Sequence, residues 1–209
     1  MKRPAFMDGA LAVLTGLLLY GGAVGSETVL GTNLSGSALL EELGKALLLL
    51  AFGWCGTARA GHLSRQGRAR ALGLARGLSL GLVAIGVFAG IENLAYLLAF
   101  REAGVLARLF WSLPVHLVAG LLEALGVVFL FRGLAGERRP RARVGGVSLW
   151  LSSLCLAFAW HRGANLLVSA EFVPSAFLGG IVLANLLFLF LMAQFLKQAY
   201  LGGFLHGAD

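Results

Sequence analysis

The chain has 209 residues, 58% of them hydrophobic and only 13% charged. With a mean hydropathy of +0.84, this excludes an ordinary water-soluble domain, which is near half apolar and a quarter charged. The net charge of +7 would point to nucleic acid in a soluble protein, and two cysteines inside apolar runs are too few and too hidden for a disulfide framework or a cysteine-rich metal site.

A bilayer core about 30 Å thick needs roughly 20 apolar residues per helix. Runs of that kind fall at about 9–26, 37–57, 76–100, 108–131, 146–170 and 175–196. They are continuously apolar and lack the alternation of barrel strands, so the expected fold is all-α: a polytopic membrane helix bundle of about six transmembrane helices. The loops are too short to fold alone, which leaves one domain over 1–209. The 30 glycines follow no Gly-X-Y period and suit close helix contact in lipid.

Lys2 and Arg3 precede the first run, and the connection from Glu27 to Ser37 has no basic residue. The second connection, from Arg59 to Arg76, also holds Arg65, Arg68 and Arg70. The third has only Arg101 and Arg108, the fourth runs from Arg132 through Arg138, Arg139 and Arg141 to Arg143, and the fifth, around Glu171 and Pro174, has none. By the positive-inside rule this alternation places both termini in the cytoplasm, and Lys197 agrees with it. The positive charge is therefore read as topology, with the lipid bilayer as surroundings, no nucleic-acid partner, and the cell (inner) membrane as location. Ala23-Val24-Gly25-Ser26 after the first run resembles a signal-peptide cleavage site. Asp8 and the length of the run favour a retained helix instead.

Ionisable side chains inside spans are costly and mark function by default. Span two carries Glu41, Glu42 and Lys45; span three Glu92 beside Asn93; span four His116 and Glu123; span five His161, Arg162 and Asn165; span six only Asn185 before Lys197. At 1.5 Å per residue Glu41 lies about 6 Å below the outer edge, Glu92 and His116 about 12 Å, and His161 about 15 Å. Four helices thus put their ionisable groups in one layer in the outer half of the membrane. Helical spacing adds faces: Glu41 and Lys45, Phe88 and Glu92, His116 and Gly120, and His161 and Asn165 are each i,i+4, and Glu123 continues the His116 face at i+7. Gly120 leaves room for a neighbouring backbone or a substrate. A carboxylate in a wet pocket can take a proton from water, while two histidines and an amide can hold a metal or donate to an oxyanion. Glu, His, His and Asn around one water form a hydrolase constellation.

These residues carry a family resemblance. Glu41-Glu42-Leu43-Gly44-Lys45 matches EExxK, Phe88 through Glu92-Asn93 matches FxxxEN, His116 to Gly120 matches HxxxG, and His161 to Asn165 matches HxxxN. In this order, on four successive spans from Ser37 to Ala170, they resemble the PrsW family of intramembrane proteases. That family belongs to the superfamily of the type II CAAX prenyl endopeptidases and the γ-secretase subunit APH-1. The resemblance implies a peptidase that cuts a transmembrane protein substrate in or next to its membrane segment, in the manner of site-1 cleavage of a single-pass anti-sigma factor. It implies that Glu41 activates the attacking water and that Glu42 pairs with Lys45 and holds Glu41. It further implies that His116 assists at the water and that His161 and Asn165 polarise the scissile carbonyl. Glu92 and Asn93 stand where CAAX enzymes place a histidine, which argues against a prenylated substrate and leaves Glu92 between metal ligation and support. Zinc bound by His116, His161 and Glu92 and a metal-free glutamate mechanism are both open.

Plainer readings stand beside these. Glu41 and Glu42 would cap the start of span two, His116 and Glu123 would make structural hydrogen bonds, and Arg162 would pair with Glu42 or Glu171. Asn185 would join helices, and the tryptophans Trp54, Trp111, Trp150 and Trp160 would anchor or pack. Cys55 and Cys155 would be buried, inert thiols. At the level of function the alternatives are a non-catalytic scaffold resembling APH-1 and an ion-coupled transporter, the latter without a broken-helix pair or inverted repeat in its favour.

Overall fold

The computed structural model describes residues 5–30, 34–61, 67–99, 104–135 and 140–169, with isolated helical positions at 183, 186 and 190. Among these residues it is all-helical: α1 (Ala5–Leu30), α2 (Leu34–Gly61), α3 (Gly67–Ala99), α4 (Gly104–Ala135) and α5 (Pro140–Ser169). Three stretches, Arg70–Ala95, Ser112–Leu134 and Pro140–Leu166, are long and apolar enough to cross a membrane. The helix α2 is as long, at 28 residues, but Glu41, Glu42 and Lys45 dilute its apolar character. The sixth expected span, Asn185, Lys197, Glu171, and the connections holding Arg65, Arg101, Arg138 and Arg139 lie outside the described residues.

The expected spans 9–26, 37–57 and 108–131 fall inside a helix, 76–100 and 146–170 coincide with one up to its last described residue, and every helix is longer than its span. Arg68, Arg70 and Arg76, read from sequence as connection, belong to α3; Arg132 belongs to α4, and Arg141 and Arg143 to α5. A basic side chain ends an apolar run without ending a helix, because the backbone stays internally bonded and the long stem carries the charge outward. Glu41 and Glu42 lie two turns into α2, so the helix-cap reading does not hold.

Neighbouring helices in sequence form two close pairs, α2 with α3 and α4 with α5. The helix α2 is central and touches all four others, while α1 packs against α3 and α2. Glycines make the closest approaches. A Cβ on Gly77 of α3 would fall 2.2 Å from the carbonyl oxygen of Phe52 in α2, so the two backbones meet directly. A Cβ on Gly133 of α4 would fall 2.6 Å from the carbonyl oxygen of Ala142 in α5. This is the packing expected where helices associate by fit rather than by hydrophobic drive. The helix α1 is held to α3 by the same device at Gly16, by the ion pair of Asp8 with Arg76, and by Tyr20 against Phe88 at 6.4 Å between ring centres.

The main apolar core comprises Leu49 of α2, Leu74, Leu78 and Ile85 of α3, and Ala124, Val127 and Val128 of α4, with Trp150 of α5 against it. It fills one end of the four-helix unit α2–α5. Large apolar side chains such as Leu18, Leu72, Leu98, Val144 and Leu156 point outward, a surface suited to lipid and an aggregation hazard in water. Cys55 and Cys155 are exposed and unpaired on that surface. The expectation of buried thiols is therefore corrected: an apolar run shields its residues from water with lipid as readily as with protein. Trp54 is likewise exposed, and Trp150 and Trp160 are half-buried.

The glycine contact yields a direct test. Gly77→Ala should lower stability in detergent by about 1–3 kcal/mol, the usual cost of overpacking, whereas Gly22→Ala, where a Cβ would meet nothing within 4 Å, should not destabilise. Thermal melting of the two variants beside the parent protein checks this.

Candidate functional site

The polar residues singled out from sequence lie near the start of α2 and α4 and the end of α3 and α5. Antiparallel neighbours bring those ends together, so one layer at one end of the bundle collects them. The apolar core occupies the layer beyond.

Lys45 is the centre of the site. It is wholly buried, and its ammonium lies 2.5 Å from Oε1 of Glu41, 2.6 Å from Oε1 of Glu42 and 2.9 Å from Nδ1 of His116. An ammonium has three N–H donors and no acceptor, so these contacts use all three. The ring of Phe88 lies beneath it, 5.4 Å from Nζ to the ring centre, and adds a cation–π contact. Phe88 also sets its edge against His116, with ring centres 5.5 Å apart.

With Lys45 as the donor at 2.9 Å, Nδ1 of His116 offers its lone pair and the ring proton lies on Nε2, which faces Oε2 of Glu92 at 2.7 Å. Glu92 therefore orients the ring from the far side, as carboxylates commonly do for working histidines. Nδ1 also lies 3.0 Å from Oε1 of Glu41. The second histidine, His161, sends Nδ1 to Oε1 of Glu42 at 2.6 Å and stands across from His116 with ring centres 4.8 Å apart. Since Glu42 accepts, His161 donates from Nδ1.

Four helices thus contribute to one continuous network: Glu92 of α3, His116 of α4, Lys45 with Glu41 and Glu42 of α2, and His161 of α5. Glu42, Lys45, His116 and His161 are buried. Glu41 and Glu92 keep side-chain exposures of 11% and 23%, so they form the accessible edge of the cluster. Glu42 pairs with Lys45 and His161 rather than with Arg162. Asn165 follows His161 by one turn and is half-buried. Asn93 is buried with its amide nitrogen unpaired among the described residues. Gly120 makes room for Ile85 and Leu82 of α3, a neighbouring helix rather than a substrate.

Glu123 is the member that the motifs do not include. It is fully buried and faces Glu42 and Lys45. The signal was present in its i+7 spacing from His116, which keeps it on the same face of α4.

Glu41, Glu42, His116 and His161 offer ligand atoms all within 4.8 Å of one another, close enough by distance to hold a metal ion. Glu92 is not among them; its carboxylate lies against the opposite edge of the His116 ring. The Lys45 ammonium stands among the same atoms and already bonds three of the four residues. A metal would have to displace it, so the residues as arranged do not fit a resident metal.

Compared with known proteins, the chain matches no family model, no curated protein and no solved structure.

Removing the ammonium tests this arrangement. Lys45→Met leaves buried carboxylates without their partner and should cost about 3–5 kcal/mol in a melting experiment. The same variant frees the four ligand atoms and should gain zinc-dependent stabilisation, whereas the parent protein should show none. One equivalent of zinc bound by the parent protein would contradict the assignment.

Proposed function

We propose that the chain is an intramembrane peptidase of the PrsW type. Under this reading it has six spans and both termini in the cytoplasm, and its polar layer lies in the outer half of the cell (inner) membrane. The substrate class is a single-pass membrane protein, cut in or next to its transmembrane segment. The observation that carries the reading is the meeting of all four motif elements, each from a different helix, around Lys45.

In this account Glu41 is the general base. It is the acid of the adjacent pair that retains exposure, and Lys45 holds its Oε1 in place. Water gives a proton to Glu41 as its oxygen bonds the scissile carbonyl carbon. Glu41 then passes that proton to the amide nitrogen as the C–N bond breaks, leaving a carboxyl and an amine. Glu42, locked between Lys45 and His161, keeps the ammonium from moving. His116, steered by Glu92, sits beside Oε1 of Glu41 at the point where the water must lie. By the resemblance, His161 and Asn165, one turn apart on α5, polarise the scissile carbonyl as the oxyanion develops. The chemistry is carried by glutamate, histidine and the fixed ammonium, and no step is routed through a metal.

The second reading is a scaffold in the manner of APH-1. Saturation of all three Lys45 donors favours it, since a closed network joins helices whether or not it reacts. An ion-coupled transporter draws no comparable support from the geometry.

Purified protein reconstituted with a single-pass substrate decides between the first two. Glu41→Gln should lower cleavage by about 10²–10⁴-fold, the usual share of a general base, and His116→Ala should abolish it, with Glu41→Gln melting close to the parent protein. Equal cleavage by the variants, or loss of folding in Glu41→Gln with no cleavage by the parent, contradicts the peptidase.

A further inference from the structure

The proposed reaction leaves Glu123 without a task, yet it is as deeply placed as Lys45. It stands on α4 two turns after His116 with no exposure, and its carboxyl reaches Glu42 within the field of Lys45 and Glu41. Neither of its oxygens meets a donor among the described residues, and neither does Oε2 of Glu42. Acceptors that face one another in an apolar interior without a hydrogen between them are strongly disfavoured.

The neighbouring donors are committed elsewhere. Lys45 directs its three N–H groups to Glu41, Glu42 Oε1 and His116. His161 directs its Nδ1–H to the same Oε1 of Glu42, and the Nε2–H of His116 faces Glu92. A hydrogen carried by Glu123 itself supplies what is missing, since a carboxylic acid has one O–H to give and a bond from it to a carboxylate is among the strong ones.

We propose that Glu123 is a positioning residue of this site, a carboxylic acid whose O–H donates to Oε2 of Glu42. That bond fixes the plane of the Glu42 carboxylate, so Oε1 stays turned toward Lys45 and His161. Its effect on rate rests on the peptidase reading; the hydrogen bond itself does not.

Two readouts separate those claims. Infrared difference spectra of the protein in lipid nanodiscs should show the carbonyl stretch of a protonated carboxylic acid, and the band should vanish in Glu123→Gln. In the cleavage assay Glu123→Gln, whose amide still donates to Glu42, should keep kcat near the parent value. Glu123→Leu, which cannot donate, should lose at least about tenfold in kcat with KM little changed, the order of one buried hydrogen bond. A band that persists unchanged in Glu123→Gln, or a Gln variant as slow as the Leu variant, overturns the proposal. If the parent protein cleaves nothing, the peptidase reading fails and the infrared band alone decides the hydrogen bond.

Discussion

An ammonium sealed inside a helix bundle is the constraint from which the rest follows. The desolvation of Lys45 is expensive even after relaxation, and only fixed acceptors of the right number offset it. Glu41, Glu42 and His116 supply one acceptor for each N–H, and Phe88 covers the remaining face. None of these partners can leave without stranding a buried charge. The positions of α4 and α5 relative to α2 are therefore tied at this layer by the bonds of His116 to Lys45 and of His161 to Glu42.

The apolar part of the bundle makes that layer possible. Glycines at the crossings of α2 with α3 and of α4 with α5 let backbones touch, which brings side chains as short as glutamate within reach across helices. The core of Leu49, Leu78, Ile85 and Val127 closes one side of the layer, leaving Glu41 and Glu92 as the members in contact with the surroundings. The buried members Glu42, Lys45 and His161 act as a frame, and Glu41 and Glu92 form its accessible edge.

Much of this was legible in the residue pattern. The apolar runs located five of the helices, and the depth of Glu41, Glu92, His116 and His161 along four of them implied a common layer. Spacing put Lys45 within reach of both acids. What spacing cannot express is which oxygen or ring nitrogen meets which donor. Only the rotation of α3 and α5 about their axes decides that Glu92 takes the far edge of His116 and His161 takes Glu42. Glu123 was visible as a same-face residue, but its facing of Glu42 depends on the crossing of α4 with α2. Helix ends were misjudged for a different reason: hydropathy reports where lipid ends, and α3 continues helically through Arg68 and Arg70. The thiols were misjudged because an apolar neighbourhood in sequence does not distinguish a protein interior from a lipid-facing surface.

The central claim is that Lys45 donates to Nδ1 of His116 and so leaves the ring proton on Nε2. Nitrogen-15 solid-state NMR of the protein in lipid bilayers, with labelled lysine and histidine, tests it most directly. The account predicts a through-space correlation between Lys45 Nζ and His116 Nδ1, with Nδ1 unprotonated and Nε2 carrying the proton toward Glu92. A His116 protonated at Nδ1, with no contact to Lys45, would contradict it.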